Sequence, residues 1–411
     1  FCSIFHDSHT SKEAYDNYWI QKGYSVGQGA IREYTDNIEN SIRICAKVPT
    51  AGGKTFIAVS AIKRFFNVFK RSRKAVVWLA PSDAILTQTL DNLRNPDHPY
   101  RQRLNADFSN NVDVYNVEEL LSGRNFSPFN IEDQLSIFVL SYDVLRAKKK
   151  DTRRMYRTSS SMQQFDLSDK YVESPITDAD IDSVMVGLYD LSPLVILDES
   201  HNAGSPLSRD MLENLHPTMV LELTATPLPS SNVFSFVSAG QLKKEHMVKI
   251  PALLYRRDDP SDVITTARDI RNELEEIAKQ NEKETGQYIR PIVLFQAQPK
   301  TKEDAKTYDY IKKVLVKDYF IPEEQIAIKT SDINDLKKVD LLSRDCPIRY
   351  IITVNALKEG WDCPFAYVLA SLANKNSKTD VEQIIGRILR QPQATRCAYS
   401  PLNTSYVLTC S

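Results

Sequence analysis

Short apolar runs alternate with longer amphipathic segments along this chain, and the alternation occurs twice. The first series is Ser41–Val48 (SIRICAKV), Lys74–Leu79 (KAVVWL), Leu135–Leu140 (LSIFVL), Leu194–Leu197 (LVIL) and Met219–Leu223 (MVLEL). Helical patterns fall between them at Lys54–Lys70 and at Asp83–Leu93, where Ile85, Leu86, Leu90 and Leu93 share one side. Runs this short, separated by helices, predict strands buried on both faces of a parallel sheet. Lys249–Tyr255 then reads as a connecting strand, Asp262–Asn281 as a charged helix and Asn281–Tyr288 as a loop. A second series follows at Arg290–Phe295 (RPIVLF), Ile326–Lys329, Arg349–Thr353 (RYIIT) and Ala366–Ala370. Its helices are expected over Asp304–Lys317 and over Thr379–Leu389, with Thr379 as N-cap. The expected class is therefore α/β, with one parallel-sheet domain over 1–240, a strand and helix connecting over 241–288, and a second domain over 289–411.

The length, 411 residues, has room for two to three domains. No uncharged apolar run reaches the ~18 residues that span a bilayer, so no membrane partner is expected. The opening FCSIFHDSH has neither the basic start nor the apolar core of a signal peptide, which predicts a cytoplasmic chain. It begins with Phe1 rather than Met, so a piece of a longer protein is expected. The cysteines Cys2, Cys45, Cys346, Cys363, Cys397 and Cys410 form no C-x-x-C pair and read as free thiols, neither zinc ligands nor disulfides. A net charge of -1 gives no bulk sign of nucleic acid, though binding needs only a local basic stripe. The polar stretch Arg146–Asp182, beginning RAKKKDTRR, reads as a solvated insertion; the alternative is a basic loop, Lys148–Arg154, on a nucleic-acid backbone.

The chemistry begins at Cys45–Thr55, CAKVPTAGGKT. A strand runs into two glycines, a lysine and a threonine, and a helix follows, which is the setting of the phosphate-binding pattern G-x-x-x-x-G-K-[ST]. N–H groups at a helix start and the helix dipole both favour an anion. Thr50, Ala51, Gly52 and Gly53 would cradle phosphates, Lys54 would reach the β- and γ-phosphates, and Thr55 would offer its hydroxyl to Mg²⁺. Two positions depart from the pattern: Val48 replaces its first glycine, and Ala51 replaces a second frequent one, so the backbone there must accommodate a Cβ. Taken alone, G-G-K-T fits a glycine turn ahead of a lysine equally well. Leu194–His201, LVILDESH, weighs against that reading. Asp198 and Glu199 would stand at a strand's carboxyl end, Asp198 binding Mg²⁺ and Glu199 activating the attacking water.

LDESH resembles the DExH box of superfamily 2 helicases and translocases, and the other boxes follow in order. LAPSDAILTQT (Leu79–Thr89) resembles the box lining the nucleic-acid track, which implicates Pro81 and Ser82. LTATP (Leu223–Pro227) is similar to the box coupling hydrolysis to strand contact, with Thr224, Thr226 and His201 as coupling residues. ITVNALKEGWDCP (Ile352–Pro364) and VEQIIGRILRQP (Val381–Pro392) resemble the last two. The resemblance implies tandem RecA-like domains with ATP in an interdomain cleft. It gives Thr353 a nucleic-acid phosphate, places Asp362 near the ATP ribose, and has Gly360 turning the chain between them. Gln28, in YSVGQGA, falls where many members read adenine. Gln383, Arg387 and Arg390 lie three and four apart, on one helical face, so both arginines can aim at a phosphate as arginine fingers while Gln383 bridges toward the γ-phosphate or His201. The alternative for the arginines is a pair of surface salt bridges.

Within the superfamily, LKEGWDCP and GRILRQP followed by LNTSYVLTC look like the Res subunit of type III restriction enzymes. Cys363 departs from it, standing where Asn is frequent. The resemblance implies an ATP-driven motor on double-stranded DNA, with a methyltransferase or specificity subunit as partner. A nuclease of the kind that follows in Res subunits is not expected within these residues. A stand-alone DNA or RNA helicase and an ATP-gated binding switch are the other readings.

Overall fold

The computed structural model describes the chain except for residues 28, 37, 39, 40, 50, 147–152, 300–306, 331, 338, 355–362, 373–384, 387 and 411. The chain forms two compact units, Phe1–Val48 with Gly53–Phe236, and Pro49–Gly52 with Val237–Ser411.

The first unit is built on β1 (Ile42–Lys47), β2 (Lys74–Ala80), β3 (Val112–Tyr115), β4 (Leu135–Ser141), β5 (Leu194–Asp198), β6 (Met219–Thr224) and β7 (Val233–Phe236). All pairings are parallel, in the order β3-β4-β2-β5-β6-β1-β7. Continuous burial along β4, β5 and β6, and along β2 from Ala75 onward, explains why these strands show no polar alternation. β3 and β7 have no counterpart in the sequence reading. They are four residues each, and Asp113 and Ser235 interrupt their apolar pattern. Register aligns Asp198 of β5 with Leu223 of β6, and Thr224 of β6 with Lys47 of β1. Three strand ends thus fall in one row, the edge at which open parallel sheets take ligands.

Arg146–Asp182 corrects the expectation of a solvated insertion. Its described part packs into the first unit's core through Met155, Tyr156, Met162, Leu167 and Ile176, all at most 2% exposed. Tyr156 donates its hydroxyl to the Leu145 carbonyl at 3.1 Å, and Asp180 N–H returns a bond to the Tyr156 carbonyl. Singly spaced apolar residues among many polar ones carry no periodic signal, so the stretch reads as solvated although its apolar residues are not.

The second unit holds β8 (Ala252–Arg257), β9 (Ile292–Gln296), β10 (Ile326–Lys329), β11 (Tyr350–Thr353), β12 (Ala366–Ser371) and β13 (Ser405–Cys410). These are again parallel, in the order β10-β11-β9-β12-β13-β8. The expected connector therefore belongs to this unit, with β8 at the edge of its sheet. The helix Pro260–Thr285 starts at an Asp259 cap and buries Val263, Ile264, Ala267, Leu274 and Ala278. It runs four residues past the helix end expected at Asn281. The cause is Asn281 itself, fully buried, which accepts the Ala398 N–H at 3.2 Å and donates to Thr285 Oγ1. Tyr308–Lys313 is helical and continues as a wider turn over Val314–Asp318, whereas 304–306 and most of the helix expected at Thr379–Leu389 lie outside the described residues.

All six cysteines are free thiols. Among the described residues no helix is long and apolar enough to cross a membrane.

Packing of the insertion predicts that Met155→Ala lowers stability by about 2–5 kcal/mol, as for other buried methionines. Urea unfolding checks this; a solvated segment would hold the change within about 0.5 kcal/mol.

Candidate functional site

β1 is prolonged one residue by Val48, whose N–H donates to the Thr224 carbonyl at 2.9 Å. A tight turn follows, closed by Gly52 N–H on the Pro49 carbonyl at 3.0 Å. Ala51 sits in the left-handed region at φ 67° and Gly53, the N-cap, at φ 77°. Ala51 therefore occupies a conformation that favours glycine and pays a steric cost for its Cβ, of order 1–2 kcal/mol. The helix Lys54–Val68 begins at once, with Lys54 and Thr55 in its first turn.

The Lys54 ammonium meets Glu199 Oε1, the two side chains being 12% and 22% exposed. Glu199 is held at φ 49°, in the left-handed region, with its N–H on Asp198 Oδ1 at 3.0 Å. Non-glycine residues persist in such conformations where surrounding contacts fix them, and they cluster at functional sites. Glu199 Oε2 lies 3.5 Å from His201 Nδ1, and the same nitrogen is 3.2 Å from Thr224 Oγ1. Thr224 Oγ1 also accepts the Thr226 N–H at 3.1 Å. A continuous polar chain thus joins G-K-T, D-E-S-H and T-A-T. Tyr142 anchors it from the far side by donating to the Asp198 carbonyl at 3.1 Å. Burial, aided by the Asp198 charge, raises the Tyr142 hydroxyl pKa and keeps it a donor.

Beneath this chain lies a network the sequence did not reveal. Arg43 of β1 pairs with Glu222 of β6, at 6% and 0% side-chain exposure. Glu222 Oε2 accepts from Ser231 Oγ at 2.6 Å and from Ser200 Oγ at 3.5 Å. One buried carboxylate therefore ties the strand before the phosphate-type loop, the strand before T-A-T and the D-E-S-H turn. Burial first, then the Glu222 charge, raises the neighbouring Cys45 thiol pKa.

The remaining expected residues fall elsewhere. Pro81 and Ser82 follow β2, Ser82 at the N-cap position of the next helix, and Ser82 Oγ is buried without a partner among the described residues. Arg154 is held by Glu118 at 2.9 and 3.1 Å, while 148–152 lie outside the described residues. In the second unit Thr353 ends β11 at 5% exposure, its hydroxyl also unpartnered among the described residues. Arg390 bridges to Val248 through the backbone, so it lies beyond the helical residues that end at Ile388 and not on the helix expected to carry it. Gln28, Thr50, Gly360, Asp362, Gln383 and Arg387 lie outside the described residues.

Among the described residues, no three or more His, Cys, Asp or Glu side chains group as a metal site. The donors beside Lys54 instead fit the habit of Mg²⁺, which takes one or two protein oxygens and completes its shell with phosphate and water. Asp198 and Thr55 supply oxygens of that kind.

Residues 21–228 match the family described as type III restriction enzyme, res subunit. The match takes in half of the chain, which belongs to this family and thus to the superfamily 2 helicases. No curated protein matches it. Among solved structures, the ATP-dependent Type ISP restriction-modification enzyme LlaBIII bound to DNA aligns with a TM-score of 0.52 and 14% identity, over 89% of this chain and 26% of that one. Mycobacterium smegmatis helicase Lhr bound to ssDNA and AMP-PNP aligns with a TM-score of 0.50 and 12% identity, over 99% of this chain and 47% of that one. The chain thus spans about a quarter and about half of these two neighbours. At such identities the likeness concerns the fold, two RecA-like units with parallel sheets.

The Glu222 network predicts that Glu222→Ala, which strands Arg43 as a buried unpaired charge, costs about 3–5 kcal/mol. Denaturant unfolding of the variant beside wild type measures it; a loss under 1 kcal/mol would show that the pair does not hold these segments.

Proposed function

We propose that the chain is an ATP-hydrolysing motor that moves on nucleic acid, with double-stranded DNA as its track, in a type III restriction-like or related defence system. The observation that carries this reading is the Lys54–Glu199 pair at the start of a glycine-led helix, with Asp198 bonded to the Glu199 backbone. A lysine there neutralises phosphate charge, and a carboxylate there accepts a proton from attacking water. In this reading Lys54 leaves Glu199 for the β- and γ-phosphates when ATP arrives, which frees Glu199 to orient water. Asp198 and Thr55 hold Mg²⁺, which supplies charge neutralisation at the phosphates. His201 and Thr224 pass the state of the site to the T-A-T turn. Arg387 and Arg390 serve as arginine fingers, and closure of the two units around ATP drives stepping.

Family membership supports the motor, and the description of that family as a restriction-enzyme subunit supports DNA as the track. Pro81, Ser82 and Thr353 are proposed phosphate contacts, and a methyltransferase or specificity subunit is the proposed partner. Displacement of a triplex without strand separation would mark a translocase; strand displacement would mark a helicase. Nucleotide-dependent binding with negligible turnover would mark a switch.

Glu199→Gln keeps the shape of the side chain but removes the base, so ATP should bind while phosphate release collapses by at least about a hundredfold. Asp198→Ala should weaken Mg²⁺-dependent ATP binding as well. Nucleotide titration with a phosphate-release assay tests both, and wild-type turnover in Glu199→Gln would remove the assignment. Backbone-phosphate contacts also predict affinity that falls steeply with salt and differs little between two unrelated duplexes, which a salt titration checks.

A further inference from the structure

A lysine with no exposed surface lies in the second unit, outside the motifs of the nucleotide and nucleic-acid sites. Lys249 is 0% exposed. An ammonium ion removed from water is costly unless its N–H groups are bonded. Here Nζ donates to the Pro364 carbonyl at 2.7 Å and to the Arg390 carbonyl at 2.6 Å, and stands 4.2 Å from the centre of the Tyr367 ring. Pro364 closes ITVNALKEGWDCP, and Arg390 belongs to QIIGRILRQ. One buried cation therefore joins the ends of the two second-unit motifs.

The backbone around Arg390 is gripped on both sides by the same short segment. Lys249 N–H donates to the Leu389 carbonyl at 2.6 Å, and Gln391 N–H to the Met247 carbonyl at 3.0 Å. Ser405 Oγ, from the start of β13, shares its one proton between the Lys249 carbonyl at 3.0 Å and the Ile388 carbonyl at 3.2 Å. The carbonyls of Ile388, Leu389 and Arg390 are thus each claimed by Lys249 or by a residue bonded to it. The Lys249 charge also acts on Cys397: burial pushes that thiol up to about 11 while the ammonium pulls it the other way.

We infer that Lys249 is the positioning residue for Arg390, fixing through the Arg390 carbonyl where the guanidinium is presented. The inference rests on the reading of Arg390 as an arginine finger. A finger contributes only when its charge meets the departing phosphoryl group, and a displacement near 1 Å costs about a hundredfold in rate. Lys249→Met keeps the length and apolar stem of the side chain, removes the charge, and leaves two carbonyl oxygens without their donor.

The test is a double-mutant cycle on the full chain, with Lys249→Met, Arg390→Ala and the double variant. Steady-state ATP hydrolysis is measured with Mg²⁺ and a linear DNA duplex, at a temperature well below each variant's unfolding midpoint. Lys249→Met is expected to lower kcat roughly 10- to 100-fold while KM stays within about threefold. The double variant is expected to turn over within about twofold of Arg390→Ala, because the lysine acts only through the arginine. Lys249→Met at wild-type turnover beside a slow Arg390→Ala overturns the inference alone. So does a double variant whose losses multiply, the signature of a merely structural lysine. Arg390→Ala at wild-type turnover overturns the arginine-finger reading and this inference with it. Should Lys249→Met fail to fold, Lys249→Gln, whose amide retains two N–H donors, enters the same cycle. Its kcat is then expected between wild type and Arg390→Ala, and a multiplying loss in its double variant overturns the inference.

Discussion

A lysine ammonium and a glutamate carboxylate, both largely withdrawn from water, meet where the first sheet's strands end. Neither could be left alone there, since an isolated charge at low exposure is strongly disfavoured. The geometry that brings them together comes from two strands. β1 delivers the loop and helix that carry Lys54, and β5 delivers Asp198 and Glu199. β6 lies between those strands and brings Thr224 to the same edge, so one parallel register places all three motifs within reach of each other. Beneath, the Arg43–Glu222 pair crosses from β1 to β6, and Ser200 extends it into the D-E-S-H turn. A shift of either strand would break that pair, so the buried network holds the register on which the site above it depends.

The second unit manages its irregular backbone in a related way, with buried cations bonded to carbonyl oxygens. Arg290, fully buried, donates to the carbonyls of Ser343, Cys346 and Leu341 and so holds the turn-rich segment before β11. Lys249 does the same for the chain around Arg390. Carbonyls in loops inside a fold must be satisfied, and a guanidinium or ammonium offers several donors from one point. In both cases the cation's side chain fixes main chain rather than another side chain, so the sequence of the segment it holds is left open.

The parts legible in the sequence are those whose signal is local. β2, β4, β5 and β6 are apolar runs bounded within a residue or two of where the strands lie. The same holds for Lys54, Glu199, His201 and Thr224, which sit in short motifs and are brought together by the first sheet. What escaped has long-range causes. Glu222 lies within an apolar strand and its partner Arg43 is 179 residues away, while Lys249 and Arg390 are 141 apart. Nothing near Glu222 or Lys249 announces a buried charge. The helix end at Thr285 depends on Asn281 reaching Ala398, again a contact with no local trace. The strand β13, six residues beginning with Ser405 and Tyr406, shows in the sequence only as part of a motif, because its pairing partners β12 and β8 are what make it a strand.

The proposed nucleotide site depends on Lys54 as its phosphate-binding cation. Equilibrium binding of a fluorescent, non-hydrolysable ATP analogue with Mg²⁺, on the wild-type chain and on Lys54→Ala, tests that claim without any assumption about turnover or track. Loss of a buried charge-assisted contact to phosphate predicts affinity at least about tenfold weaker in the variant, measured well below its unfolding midpoint because removing Lys54 also leaves Glu199 unpaired and lowers stability. Equal affinity in the two proteins would contradict the claim and return the glycine-led loop to a simple turn ahead of a helix.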